Sequence, residues 1–305
     1  MNNLIIIGGG IAAVSAIKAI REIDPEVTID LFGEERFYPY YRLKLSKSLF
    51  DQLDEADILL QKREWYEKNR ITLHLNVRVQ GIDIERQAII LPQEKSMNYN
   101  KLLLANGAGN RFPAIAETNR GKLNTIRNLE DVQRLHGVLE GKNEIFYIGG
   151  GVLGLETAWA LQQHHKKVTV AEIQNRLFPN QLDERAATIL KNLVESFGIK
   201  VLTNAEIVNI IGDQVVCGVE MKDGSSFHCE MVLYSTGIKP NIDILRGTPL
   251  KTNRGVIVDQ KMATNVPNVY AAGDVAEYDG KVYGLWNVAM GQGKTAGFNI
   301  AGQET

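Results

Sequence analysis

Four apolar residues, Leu4-Ile5-Ile6-Ile7, run straight into Gly8-Gly9-Gly10, after which the apolar positions change period. An unbroken apolar run closed by glycine predicts a strand buried on both faces of a parallel sheet. The small-residue stretch from Ile11 to about Arg21 predicts a helix, and Val27 to Phe32 a second strand, so the opening reads as a βαβ unit. The plan then recurs: Ile145-Phe146-Tyr147-Ile148, Gly149-Gly150-Gly151, a helix from Val152 to about His164, and a strand from Val168 to Ala171.

Each unit is followed by three alternating apolar stretches that predict a meander. The first copy covers Val77 to Ile84, Ala88 to Leu91 and Tyr99 to Leu104; the second covers Ile207 to Ile211, Val215 to Met221 and Phe227 to Tyr234, with Gly212-Asp213 and Asp223-Gly224 as turns. Both copies close on a polar residue and glycine, Asn106-Gly107 and Thr236-Gly237. A repeat of this length points to duplicated dinucleotide-binding domains.

Gly8-x-Gly10-x-x-Ala13 fits the dinucleotide motif, in which the first glycine makes the tight turn, the second admits a pyrophosphate, and the third small residue lets helix and strand approach. The phosphates would rest on amides at the positive end of the helix. A glycine triplet alone also serves as a flexible turn; here strand, helix and acid all stand where a nucleotide requires them. Glu34 is placed to accept from ribose hydroxyls, with Glu35 as a solvated neighbour. Gly149-x-Gly151-Val152-Leu153-Gly154 is the complete form, and Glu172 ends its second strand. A carboxylate there accepts from a 2′-hydroxyl and repels a 2′-phosphate, which predicts NADH over NADPH. Arg176 is the one nearby cation that a 2′-phosphate would use; as a surface arginine it has no such role.

Composition changes this picture little. The chain has 305 residues, 44% hydrophobic and 23% charged, enough for two domains. A net charge of −2 gives no electrostatic case for nucleic acid or an anionic membrane, and no apolar stretch reaches the length of a membrane span. With the first strand starting at Leu4 there is no room for a leader, so a cytoplasmic location is expected. His164 and His165 at a helix end read as complements to its dipole, and no metal site is expected. The two cysteines, Cys217 and Cys229, fall in neighbouring predicted strands and read as packing residues.

The two glycine motifs, Thr236-Gly237-Ile238-Lys239-Pro240-Asn241 and Val269-Tyr270-Ala271-Ala272-Gly273-Asp274 together resemble the pyridine nucleotide-disulfide oxidoreductase superfamily over nearly the whole chain. Tyr38-Pro39-Tyr40-Tyr41-Arg42-Leu43-Lys44-Leu45-Ser46-Lys47 and Trp65-Tyr66-Glu67-Lys68-Asn69 are most similar to the NADH:rubredoxin oxidoreductase branch and to the flavin-and-NADH portion of assimilatory nitrite reductases. The resemblance implies an α/β fold of two Rossmann-like domains, an NAD domain at 111–230 inserted into an FAD domain at 1–110 and 231–305, each with a three-stranded antiparallel meander. The C-terminal interface domain of relatives is expected to be absent.

It further implies that the first motif holds the FAD pyrophosphate, Glu34 the adenosine ribose, and Asp274, approached through Gly273, the ribityl chain. Val79, Asn106, Gly107 and Gly237 join the cofactor contacts, Asn106 standing where the family usually has threonine and Leu43 where proline is common. Arg42 and Lys47 would place cations beside the isoalloxazine, Glu156 would lie near the nicotinamide, and a terminal helix following Gly291-Gln292-Gly293 would aim its positive end at the flavin. Relatives that reduce disulfides, peroxide or oxygen carry cysteine after the first fold; this chain has Arg42 to Lys47 there and no sulfur. Electrons are therefore expected to leave for an external acceptor such as rubredoxin or ferredoxin, or for a siroheme module if the chain is the diaphorase part of a nitrite reductase. A non-enzymatic alternative is a flavin-bearing, NADH-responsive interaction protein resembling apoptosis-inducing factor.

Overall fold

The computed structural model describes residues 3–51, 53–115 and 117–303, and the chain divides into two compact units. The first comprises Met1–Tyr41, Asp54–Gly109 and Ile238–Thr305; the second comprises Arg42–Leu53 and Asn110–Gly237.

Five parallel strands form the main sheet of the first unit, in the spatial order Val269–Ala271, Lys101–Leu104, Asn3–Ile7, Thr28–Phe32, Ile71–His74. Leu4, Ile5 and Ile6 are at most 1% exposed, as a strand covered on both faces should be. Helix Ile11–Ile23 packs its small face against helix Trp286–Ile300, where Gly293 and Gly297 lie against Ala12 and Ala16. The sequence reading put Gly291-Gln292-Gly293 ahead of this last helix; it lies inside it, because the small residues serve close helix–helix contact rather than a turn.

The meander of the first unit is Gly81–Asp83, Ala88–Ile90 and Ser96–Asn98, antiparallel throughout. The expected third meander strand, Tyr99 to Leu104, is instead a strand of the parallel sheet, Lys101–Leu104, and the meander's own third strand is the preceding Ser96–Asn98. Asn100 makes the break, its side chain accepting from the Asn3 amide at 2.8 Å while its own amide donates to the Asn3 carbonyl at 2.9 Å.

The second unit repeats the topology, with parallel strands in the order Lys200–Leu202, Lys167–Ala171, Glu144–Ile148, Met231–Tyr234, Leu123–Asn124. Its meander is Ile207–Ile211, Gly218–Met221 and Ser226–His228. Phe227 to Tyr234 is likewise two strands, parted at Glu230, whose carboxylate accepts from the Glu144 amide at 3.0 Å. Met231–Tyr234, assigned in sequence to the first domain, pairs with Glu144–Ile148 and therefore lies in the second unit.

A buried carboxylate secures the first unit close to Gly273. Strands Val256–Val258 and Ala276–Tyr278 pair in parallel, and Glu277, 3% exposed, accepts from the amides of Arg254 and Gly255 and from the Asn253 carboxamide. Burial alone would raise this carboxyl's pKa, but the donors outweigh it and hold Glu277 below its ordinary value. The folded value lies below the unfolded one, so this stabilisation is complete above about pH 4.3 and is lost as pH falls through the folded pKa. Glu277→Gln removes the charge and leaves one acceptor oxygen for three donors, setting an amide N–H against either the backbone amides or the Asn253 carboxamide. Urea unfolding at neutral pH is expected to show a loss of about 1–3 kcal/mol, shrinking as the pH is lowered through the carboxylate range.

Candidate functional site

In the first unit the chain leaves strand Asn3–Ile7 through Gly8, whose amide donates to Phe32 O at 2.7 Å and whose φ is +109°. A Cβ built there would stand 2.2 Å from the Ala105 carbonyl oxygen, so glycine is required both by backbone conformation and by space. Gly10 caps helix Ile11–Ile23 with no side-chain hydrogen bond, no acid stands in the first turn, and nothing lies within 4 Å of a Cβ placed on Gly10. Helices Leu129–Leu139 and Glu184–Ser196, by contrast, begin on Asn128 and Asp183, which accept from their first-turn amides. An uncapped, acid-free helix start with open space above it is suited to an anion.

Ala13 is fully buried beneath this turn. Glu34 is exposed past the second strand, with Arg78 at 3.9 Å, a solvated pair of small energetic weight. Glu35 is not the solvated neighbour expected; it is half-buried and accepts from Tyr40 Oη at 2.6 Å, which leaves Glu34 as the acid facing solvent. Gly273 donates its amide to Gln292 Oε1 at 2.9 Å, with Asp274 half-buried beside it. Sequence reasoning missed Gln292; its signal was a polar residue between two helical glycines. Val79 is 4% exposed, so its side chain packs in the core.

Asn106 and Asn241 clasp each other, each side-chain Nδ2 donating to the other's carbonyl at 2.8 Å. Gly107, at φ +64°, takes the Asn241 amide at 3.0 Å. Asn106 Oδ1 is buried with no hydrogen-bond partner within the protein, an acceptor that a bound hydroxyl would satisfy.

The second unit builds the same turn. Gly149, at φ +116°, donates to Ala171 O at 2.8 Å, and a Cβ there would lie 2.3 Å from Ser235 O. Gly151 starts helix Val152–Gln163 uncapped, without a first-turn acid and with open space above it. Val152 is exposed and Leu153 half-buried at that end, while Gly154 passes the Gly149 carbonyl so closely that a Cβ would fall 2.0 Å from it. Glu172, 8% exposed, spans the turn: Oε2 accepts from the Gly150 amide at 2.8 Å and Oε1 from the Gln174 amide at 2.9 Å. Arg176 donates to Leu182 O at 3.2 Å, Pro179 O at 3.1 Å and Asn175 Oδ1 at 3.2 Å, so its guanidinium holds a loop. Gly237, at φ +102°, ends the unit and accepts from the Arg111 amide at 3.0 Å.

Arg42 and Lys47 lie in Arg42–Leu53, the short segment grouped with the second unit. Three side chains four residues apart tie that segment down. Arg42 donates to Arg127 O at 2.9 Å, Ser46, 3% exposed, donates to Glu156 Oε2 at 3.0 Å, and Phe50 stacks on His164 at 3.9 Å. Lys47 and Leu43 are exposed. The structure thus brings Arg42, Lys47 and Glu156 into one unit through Ser46 and Phe50, which sequence reasoning did not single out. His164, expected only to complement the helix dipole, also stacks on Phe50. Cys229 is buried as expected, whereas Cys217 is exposed. Among the described residues no group of three His, Cys, Asp or Glu side chains could hold a metal ion, and no helix is long and apolar enough to cross a membrane.

The family profile described as pyridine nucleotide-disulphide oxidoreductase matches residues 2–293. The chain is 33% identical over 300 residues to the assimilatory nitrate reductase electron transfer subunit of Bacillus subtilis, covering 98% of this chain and 39% of that protein. It is 30% identical over 302 residues to the NADH-rubredoxin oxidoreductase of Clostridium acetobutylicum, covering 99% of this chain and 75% of the relative. The α/β fold matches the crystal structure of the ferredoxin reductase for the CYP199A2 system from Rhodopseudomonas palustris with a TM-score of 0.94 at 24% identity, over 100% of this chain and 77% of that one. The chain therefore spans about two fifths of the first of these relatives and about three quarters of the other two.

Proposed function

Because the chain belongs to the pyridine nucleotide-disulphide oxidoreductase family, we propose that it is an FAD-dependent oxidoreductase that takes hydride from NADH and passes electrons to a protein acceptor outside the chain. The observation that carries this reading is the duplicated cradle: two uncapped, acid-free helix starts, each behind a glycine at positive φ, with open space at Gly10 and at Gly151.

In this reading the first unit is the FAD domain. The amides after Gly10 hold the pyrophosphate, Glu34 accepts from the adenosine ribose, and Asp274 from ribityl hydroxyls, with Gly273 held in place by Gln292. Asn106 Oδ1 supplies an acceptor still in need of a donor. The second unit is the NAD domain, in which Gly149, Gly151 and Gly154 shape the turn for the NADH pyrophosphate. Bound flavin would accept hydride from the nicotinamide and release electrons singly. Arg42 and Lys47 would offset negative charge developing on the ring, and Glu156, oriented by Ser46, would position the nicotinamide.

Both cysteines flank strands of the second unit's meander and none precedes Cys217, so no thiol pair follows the first glycine fold to relay electrons. This supports an external acceptor of the rubredoxin or ferredoxin class. The names and similarity of NADH-rubredoxin oxidoreductase and of rubredoxin and ferredoxin reductases favour it. A second reading, a diaphorase segment feeding a siroheme module, rests on the 33% identity to the nitrate and nitrite reductase proteins of Bacillus subtilis. Steady-state NADH oxidation with rubredoxin, ferredoxin, cytochrome c or a nitrite-reducing module separates them. Acceleration by rubredoxin or ferredoxin is expected; flavin bleaching by NADH with no acceleration by either would count against the first reading.

NADH should be preferred over NADPH. Glu172 is buried and accepts from two backbone amides, which keeps a carboxylate where a 2′-phosphate would sit, and Arg176, the cation expected nearby, donates to carbonyls of its own loop. Glu172→Ser is therefore expected to reduce kcat/KM for NADH by about tenfold to 100-fold without a matching gain for NADPH, since it frees a buried amide instead of creating a phosphate site. A variant that gained NADPH activity while retaining its turn geometry would refute this account of specificity.

A further inference from the structure

We propose that Cys217 and Cys229 are a cross-strand dithiol that a hydroperoxide converts reversibly to an intramolecular disulfide, a modification site independent of the flavin reading. Strands Gly218–Met221 and Ser226–His228 pair antiparallel, with Gly218 opposite His228 and Val219 opposite Phe227. Extending that register by one residue sets Cys217 opposite Cys229; the Cys229 amide donates to the Cys217 carbonyl at 3.4 Å, while the Cys217 amide turns to the Ile211 carbonyl at 2.9 Å, so the pair shares a single hydrogen bond. Directly opposed residues send their side chains to the same face of a sheet.

A regular hydrogen-bonded antiparallel pair has Cα atoms about 5.5 Å apart, and a pair that keeps one of those two bonds stays near the span of roughly 4.4–6.8 Å that a disulfide bridges. The Cβ atoms of such pairs are wider than a relaxed disulfide prefers, so closure needs local twist. Both cysteines lie one residue outside their strands, at the open end of the ladder, where the backbone can supply it. A bond closed under such strain is readily reduced again.

The two thiols differ in the way a sequential reaction needs. Cys217 is exposed and meets the oxidant; Cys229 is 1% exposed, and burial first, then the neighbouring Cys217, push its thiol up to about 12. The Cys217 thiolate attacks the peroxide oxygen, forming an S–O bond and releasing hydroxide as the O–O bond breaks. The Cys229 sulfur then attacks the Cys217 sulfur; the S–S bond forms, the S–O bond breaks, and the departing hydroxide leaves as water with the Cys229 proton. Two thiols are oxidised and one hydroperoxide is reduced.

The chain contains two cysteines in all, so the test is unambiguous. Purified, reduced protein is treated with hydrogen peroxide, denatured, and its thiols titrated. Two thiols are expected before treatment and none after, on a monomeric chain, with both restored by dithiothreitol. Lys222 lies between the cysteines, so trypsin should release two peptides joined only in the oxidised sample. Cys229→Ser should leave Cys217 as a sulfenic acid that dimedone traps, and Cys217→Ser should slow oxidation of Cys229 by at least about tenfold. Recovery of Cys229 as a free thiol from oxidised protein, with Cys217 overoxidised or linked between chains, would overturn the proposal. Thermal melts of both variants confirm that each is folded before its thiol chemistry is read.

Discussion

Gly8→Ala is expected to yield a folded protein that purifies without its yellow cofactor. Alanine at φ +109° is strained, and its Cβ would overlap the Ala105 carbonyl oxygen at 2.2 Å, so the turn that presents the amides after Gly10 must move. Backbone strain of this kind costs about 1–3 kcal/mol, and displacing the anion-binding amides adds to it. The expected loss of FAD affinity is about 100-fold or more, measured by fluorescence of flavin released on dilution. NADH binding to the second unit, followed by quenching of intrinsic fluorescence, should persist. A Gly8→Ala protein that kept stoichiometric flavin would show that this turn does not carry the pyrophosphate.

The complementary substitution is expected to separate flavin binding from its reduction. Gly149 occupies the corresponding turn at φ +116°, with Ser235 O where a Cβ would go. Gly149→Ala should retain flavin at the level of the unaltered protein while the second-order rate of its reduction by NADH falls about 100-fold. Dithionite-reduced Gly149→Ala protein should still pass electrons to rubredoxin or ferredoxin at the normal rate. If flavin occupancy fell and the NADH rate did not, the assignment of the two cofactors to the two units would be reversed.

The parts of this fold legible in the sequence were those set by local chemistry. Gly8 and Gly149 announce themselves because positive φ and close approach admit no other residue type, Gly154 because of close approach alone, and Gly10 and Gly151 because they leave the helix start bare and open; each turn follows an apolar run that only a doubly covered strand needs. What escaped depended on partners far along the chain. The polar strand Ser96–Asn98 escaped and Lys101–Leu104 looked like the meander strand in its place, because the turn between them is set by Asn100, which is held by Asn3 across 97 residues. Gly291-Gln292-Gly293 resembled a turn because nothing local reveals that helix Ile11–Ile23 lies against it. The segment Arg42–Leu53 looked like part of the first domain, yet Ser46 meets Glu156 across 110 residues and Arg42 meets Arg127 across 85. No periodicity within ten residues encodes such contacts. The expected roles of Arg42 and Lys47 consequently concern a segment that the second unit holds.

The central claim is that the first glycine turn keeps a flavin and the second brings NADH to reduce it. Anaerobic stopped-flow mixing of flavin-reconstituted protein with NADH or NADPH tests it most directly. One equivalent of NADH is predicted to bleach one equivalent of bound flavin, with NADPH markedly slower. A polypeptide that takes up no flavin, or whose bound flavin stays oxidised in excess NADH, would contradict it.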